Sequence, residues 1–157
     1  MPYWNIYHPD DVLRDDAEKD AIAKAITEIY TAIPLPAFYV GVFFFPMPRN
    51  EIYRGGQPQA SSSAQEPTFI HVRFTHIARQ FPPGESEKKD KFLDRVTEIL
   101  KPFTIDKGWY LELTGEEGDR SLLRVQGMRM PSPGSEDEKK WVAENAAVPY
   151  GPYLSRM

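Results

Sequence analysis

Position 2 is where this sequence could do chemistry without help from a bound group. Excision of Met1 ahead of a small residue is routine in the cytosol, and it would leave Pro2 with a free secondary amine at the head of a predicted strand. Such an α-amine has an ordinary pKa of about 8, and desolvation or neighbouring cations lower it toward neutrality, where a general base works best. A secondary amine can also form an iminium with an aldehyde or ketone, which opens decarboxylase or aldol chemistry. The structural alternative is an ordinary Met-Pro start. Competing chemistry is scarce: the 157 residues contain no cysteine, so thiolate nucleophiles, cysteine-based zinc sites and Fe–S clusters are excluded. His71 and His76 lie five apart on one predicted strand and so face opposite sides, which gives no metal site. Gly55-Gly56 lacks the following helix with Lys and Ser or Thr that a phosphate loop needs. No cofactor is implied.

The bulk properties narrow the partners. With 19 basic and 23 acidic residues and a net charge of −4, no global field draws the chain to nucleic acid or anionic lipid. The longest apolar run, Phe38 to Phe45, is far shorter than the roughly 20 residues of a membrane span. A soluble, cytoplasmic protein is expected, with no nucleic-acid and no membrane partner.

The elements that must position Pro2 follow from periodicity. Tyr3 to Tyr7 alternates as a strand. Asp15 to Ile33 carries Ile22, Ile26, Ile29 and Ile33 at helical spacing, with Asp15 and Glu18 resembling a capping box and Pro34 and Pro36 as the stop. Phe38 to Phe45 reads as a strand buried on both faces, and Ile52-Tyr53 as a short strand entering a turn. After a polar stretch with Ser61-Ser62-Ser63 the pattern restarts. Phe69 to Ile77 reads as a strand, Ser86 to Leu100 as a helix whose stripe is Phe92, Val96, Ile99 and Phe103, and Trp109 to Thr114 as a strand. At an offset of 70, Lys19-Asp20 and Thr27-Glu28-Ile29 match Lys89-Asp90 and Thr97-Glu98-Ile99, and the two apolar stripes coincide, which indicates an internal repeat. Leu122 to Met130 is a hairpin candidate. Ser135 with Glu138 suggests a capping box before a short helix anchored by Trp141 and Val142, and Val148 to Met157 has no regular period and is read as wrapping a neighbour or fraying. The charges at Lys88-Lys89 and from Glu136 to Lys140 read as solvated helix faces.

The expected fold is α+β: two βαβ units forming a four-stranded sheet with two helices on one face. The single domain divides into a first unit at 1–56, a linker at 57–67, a second unit at 68–115, and a C-terminal hairpin, short helix and tail at 116–157. One sheet face stays open, and another subunit is its expected cover.

The Met-Pro start, the repeated βαβ layout and the lack of another nucleophile make the chain similar to the tautomerase superfamily. Its length resembles the cis-3-chloroacrylic acid dehalogenase-like branch, in which both units lie in one chain and the protein is a homotrimer. The likeness is carried by Met1-Pro2-Tyr3-Trp4-Asn5-Ile6-Tyr7-His8-Pro9, Ala23-Lys24-Ala25-Ile26-Thr27, Pro36-Ala37-Phe38-Tyr39-Val40, Gly55-Gly56, His76-Ile77-Ala78-Arg79 and the closing Pro133-Gly134-Ser135 to Trp141 and Val148-Pro149-Tyr150. It implies that Pro2 is the catalytic proline and that Arg79 is one of two arginines gripping the substrate carboxylate. The other arginine falls on or near His76, with Arg73 close by. The family's helix histidine falls on Tyr30, and its third-strand tyrosine falls near Glu112. The glutamate that positions water for dehalogenation falls around Arg124-Val125, where no acid stands. Hydrolytic dehalogenation therefore lacks its base, whereas enol-to-keto proton transfer needs only the proline nitrogen and a cation for the carboxylate.

The resemblance thus implies a proline-based tautomerase acting on small 2-oxo or unsaturated carboxylic acids, with hydratase activity as a by-product. The alternatives are a cis-3-haloacrylate dehalogenase or decarboxylase and a non-catalytic homologue that binds small acids. Each site residue has a structural alternative as well: a surface or intersubunit ion pair for Arg79, a hydrogen-bonded strand-end role for His76, packing for Tyr30, and a mutual ion pair for Arg73 and Glu112.

Overall fold

A computed structural model of the chain describes residues 1–59 and 66–156; the centre of the linker, including Ser61-Ser62-Ser63, and Met157 lie outside the described residues. The first unit comprises β1 (Tyr3–Pro9), α1 (Asp16–Thr31) and β2 (Gly41–Met47), followed by a small hairpin of β3 (Tyr53–Arg54) and β4 (Gln57–Pro58). The second comprises β5 (Phe69–His76), α2 (Ser86–Leu100) and β6 (Tyr110–Glu117), and a helix α3 (Glu136–Glu144) follows. The main sheet has the order β2-β1-β5-β6. Within each unit the strands run parallel, and the units meet along an antiparallel seam between β1 and β5. The expected α+β architecture is therefore present.

That seam is what makes a site. Its register pairs Tyr3 with Thr75, so the start of β1 lies beside the end of β5. Pro2 and His76, one step further out, become neighbours although they are far apart in sequence.

Side chains alternate across the sheet, as a strand requires. Trp4, Ile6 and His8 of β1 and Ile70, Val72, Phe74 and His76 of β5 are buried. They pack beneath Ile22, Ile26 and Ile29 of α1 and Val96 and Leu100 of α2. Trp4 stacks on Phe74 across the seam with ring centroids 4.8 Å apart. Burial of such large apolar side chains contributes about 1.5–3 kcal/mol each, so this face holds the chain together.

Several local expectations change. Ala37–Tyr39 forms a 3-10 turn ahead of β2, held by the Phe38 N–H donating to Asn145 Oδ1 at 2.9 Å. β2 is an edge strand rather than a doubly buried one: Phe43 and Phe45 are 48% and 40% exposed, because they project from the open face of the sheet. Asp15 caps α1 by accepting the Ala17 N–H, but Glu18 turns away to pair with Lys107, so no capping box closes. Phe103 lies past α2 in a 3-10 turn. The hairpin expected over Leu122 to Met130 shrinks to a single bridge between Val125 and Met128. The tail packs on its own chain: the Trp141 indole donates to the Val148 carbonyl at 2.6 Å, and Tyr150 and Tyr153 lie against the core.

Candidate active site

At the Pro2 end of the seam a cavity of about 220 Å³ opens between α1, α2 and the loop after β5. Pro2, Tyr30, His76 and Arg79 all line it, with Ile29, Leu35, Phe81 and Phe92 supplying apolar walls and Arg95 also lining it. Pro2 is buried, and its carbonyl accepts the Gly41 N–H at 3.0 Å, which ties the chain start to β2.

Tyr30 sits at the end of α1 with its hydroxyl between two rings. Trp4 Nε1, which can only donate, lies 3.1 Å from the Tyr30 oxygen, and His76 Nε2 lies 2.7 Å from it. The Tyr30 oxygen therefore accepts from Trp4, and the Tyr30 hydroxyl and His76 Nε2 share the second hydrogen bond. Burial holds the His76 pKa down to about 4 and pushes the Tyr30 phenol up, so at neutral pH the imidazole and the phenol are both uncharged.

Arg79 supplies positive charge. Its Nη1 and Nη2 donate to Oε1 and Oε2 of Glu138 at 3.0 and 2.7 Å, and Nη1 also donates to the Ala78 carbonyl at 3.1 Å. Glu138 is 2% exposed, so the reading of this charge as part of a solvated helix face is wrong. Its carboxylate also accepts the Gly134 N–H at 2.7 Å. Burial alone would raise the Glu138 pKa, but the bonds from Arg79 and Gly134 and the charges of Arg79 and Arg120 bring it below the usual value. The sequence signal was present in Ser135 with Glu138, which marks a carboxylate that reaches back past the helix start. Ser135 does cap α3, accepting the Glu138 N–H at 3.2 Å. What the signal could not show is that the reach ends on Arg79.

Arg120 was not anticipated. The Gly118 N–H donates to the His76 carbonyl at 2.7 Å, which carries the chain beyond β6 alongside the end of β5. Arg120 Nη1 then donates to the Ala78 carbonyl at 2.8 Å, and Nη2 donates to the Pro131 carbonyl. The amine that heads the chain, on Met1, is brought down to about 5 by burial first and then by the charges of Arg120 and Arg79. It lies 3.9 Å from Met130 Sδ.

The remaining candidates lie elsewhere. Glu112 and Arg73 project from the open sheet face, on the other side from Pro2. The alternative pairing of Arg73 with Glu112 does not form either: Arg73 binds Glu116 at 2.9 Å, and Glu112 stands 4.0 Å from His71. The strand period puts residues 112, 114 and 116 on one face, and that face is opposite His76. Arg124 donates to the Ser121 and Leu123 carbonyls and shares an outer cleft with Arg120 and Arg129. Gly55-Gly56 is the positive-φ turn of the β3–β4 hairpin.

A buried proline heading a strand, beside a histidine, a phenol and a carboxylate-anchored guanidinium on a doubled βαβ sheet, defines a tautomerase-type enzyme fold. The family model described as "Putative oxalocrotonate tautomerase enzyme" matches residues 1–146, and the chain belongs to that family within the tautomerase superfamily. Among solved structures it is similar to RhCC from Rhodococcus jostii RHA1, at 34% identity and a TM-score of 0.84, covering 94% of this chain and 99% of that one. A probable enzyme from the thermophilic fungus Aspergillus fumigatus is also 34% identical, with a TM-score of 0.83 and coverage of 96% and 98%. The fold extends to N1, a member of the cis-3-chloroacrylic acid dehalogenase family, at 16% identity and a TM-score of 0.61 over 93% of this chain and 99% of that one. No curated protein matches the chain. No helix among the described residues is long and apolar enough to cross a membrane.

Proposed function

We propose that the chain, once Met1 is removed, is a tautomerase that uses Pro2 as its proton carrier on the enols of small 2-oxo carboxylic acids. The observation that carries this reading is the placement of Pro2 in the wall of a mostly apolar cavity together with Arg79, His76 and Tyr30. Desolvation and the charges of Arg120 and Arg79 already lower the amine one residue away, and Pro2 is the more buried of the two residues. The same burial and charges favour the neutral form of a prolyl nitrogen, the form that accepts a proton.

The enol carboxylate docks on the guanidinium of Arg79, which Glu138 holds in a fixed orientation. Pro2 takes the enol hydroxyl proton and returns it to the adjacent carbon, so the enol becomes a ketone with no net change in composition. The negative charge that develops on oxygen meets positive charge already in place, which lowers the barrier without reorganisation. His76 and Tyr30 shape the pocket as neutral groups. No carboxylate stands among the lining residues to activate water, so ketonisation is favoured over dehalogenation or hydration. The apolar walls of Phe81 and Phe92 suit a substrate with an aryl or alkyl body. Self-association as a homotrimer would cover the open face that carries Phe43 and Phe45.

The test is ketonisation of phenylenolpyruvate by protein whose intact mass shows that Met1 is absent. Pro2→Ala should lower turnover by about 10²–10⁴-fold, the usual worth of a positioned acid–base group. Protein that retains Met1 has an amide at the Pro2 nitrogen and should be inactive. Unchanged turnover in either form would show that Pro2 is structural, and no turnover by the Pro2-terminated protein would leave a non-catalytic acid-binding protein.

A further inference from the structure

Three rings stand between two cavities. His76, Phe81 and Phe92 line the Pro2 cavity, and the same three line a second cavity of about 210 Å³ between α2 and β6. Ring centroids lie 5.5 Å apart for His76 and Phe81, 5.6 Å for Phe81 and Phe92, and 4.8 Å for His76 and Phe92. The partition is therefore one side chain thick. Pro2 and Arg79 line the first cavity and not the second, whereas Leu93 and Leu113 line the second and not the first.

The three rings are not held alike. His76 is buried at the end of β5 with Tyr30 bonded to it at 2.7 Å, and Phe92 is carried by α2. Phe81 is half-buried in the irregular loop between β5 and α2. That loop is tied down through other groups. The Phe81 N–H donates to Glu117 Oε1 at 2.5 Å, Glu117 pairs with Lys89 at 3.5 Å, and Gln80 Nε2 donates to the Gly118 carbonyl at 2.8 Å. None of these bonds uses the Phe81 ring. Lys89 Nζ lies 5.9 Å from the ring, at the outer limit of cation–π attraction. The Phe81 side chain can change without untying the loop.

Size decides what the partition does. Pockets for drug-sized ligands run from roughly 300 to 1,000 Å³, and the Pro2 cavity, at about 220 Å³, holds less than that. We propose that Phe81 is the specificity-determining residue of the Pro2 site, closing the passage to the second cavity and limiting substrates to enols with a one-ring or short alkyl body. A substrate whose carboxylate sits on Arg79 and whose reacting carbon faces Pro2 ends its body against Phe81 and Phe92. The space between α2 and β6 is a latent distal subsite, apolar at Leu93 and Leu113, with Lys89 and Glu117 supplying its polar groups. One methylene of misfit in an apolar pocket is worth roughly 10–200-fold in selectivity, so a second ring that meets Phe81 is strongly disfavoured. The role assigned to Phe81 deepens the tautomerase reading and rests on it.

The test compares the enols of phenylpyruvate and 4-biphenylylpyruvate as substrates of protein that begins at Pro2. Wild-type protein should prefer the one-ring enol by about 10-fold or more in kcat/KM. Phe81→Ala should shift that ratio about 10-fold toward the two-ring enol, chiefly through its KM, and Phe81→Leu should shift it less in the same direction. A purely structural role would lower both substrates together. A ratio that stays put in both variants, or wild-type protein that takes the two enols equally well, would overturn the proposal.

Binding distinguishes failure of this wall from failure of the tautomerase reading. Biphenyl-4-acetic acid and phenylacetic acid undergo no proton transfer, and Phe81→Ala should raise the affinity for the first relative to the second about 10-fold. In that variant the two-ring acid should shift the methyl resonances of Leu93 and Leu113, and the one-ring acid should not. Leucine methyls that do not move would overturn the distal subsite even with Pro2 catalytic. Pro2→Ala protein that keeps its activity would overturn the tautomerase reading and leave the leucine shifts as they are.

Discussion

The two faces of the sheet carry similar side chains to different ends. On the helix-covered face, β5 places His76 against Tyr30 in a buried pair, one residue short of a loop that carries Arg79 to Glu138. On the open face, three residues back along the same strand, Arg73 and Glu116 form an ion pair in which each side chain is 50% exposed. Solvent screens that pair and leaves it worth little. The Arg79–Glu138 pair has one partner almost fully buried, so removing either member is costly. Residue type alone does not make a site; the same Arg–Glu pairing is a buried anchor beside the Pro2 cavity on one face and a solvent-screened surface pair on the other.

Acid should expose this difference most strongly. The His76 pKa is about 4 in the folded chain against 6.5 for an ordinary histidine. Between those values the unfolded chain binds more protons, so stability contributed by neutral His76 is fully present above pH 6.5 and is lost as pH falls toward 4. The loss is on the order of 3 kcal/mol. Urea unfolding at pH 7 and pH 4.5 should show a decrease that His76→Gln reduces and His71→Gln, on the open face, does not.

Next comes the anchor. Glu138→Gln keeps the shape of the side chain but removes the charge that fixes Arg79, and a guanidinium displaced by about 1 Å can cost on the order of 10²-fold in rate. kcat/KM for phenylenolpyruvate should fall accordingly, whereas Glu116→Gln should change it less than 2-fold. Tyr30→Phe leaves Trp4 Nε1 and His76 Nε2 without their shared partner and should destabilise the fold by about 1–3 kcal/mol. The smallest effect is expected at Glu112: Glu112→Gln should leave the kinetics of an isolated protomer site unchanged. A loss of more than 10-fold there would mean that the open face reaches a Pro2 site across a subunit boundary.

Much of this layout was legible from periodicity. The stripe Ile22, Ile26, Ile29 and the α2 span Ser86 to Leu100 follow from a repeat that local packing enforces, and Pro2 follows from chain position alone. β2 was misread because an unbroken apolar run does not distinguish a central strand from an edge strand whose exposed rings await cover. Its late start depends on Asn145, more than a hundred residues away, capturing the Phe38 N–H. The contacts of Glu138 with Arg79 and of Arg120 with Ala78 were illegible for the same reason. Both depend on where the non-periodic C-terminal segment returns to the sheet, and no local pattern encodes that return. Glu112 and Arg73 were candidates only through the family resemblance, and the alternation of side chains along β5 and β6 puts them on the opposite face.

The most direct test concerns the nitrogen itself. Protein carrying ¹⁵N-proline, with its start at Pro2 confirmed by mass, can be titrated while the Pro2 resonance is followed by NMR. A pKa at least one unit below the ordinary value of about 8 is the predicted result, with a matching limb in kcat/KM for ketonisation. A Pro2 nitrogen that titrates at 8 or above, or one that does not titrate because Met1 remains attached in active protein, would contradict the central claim.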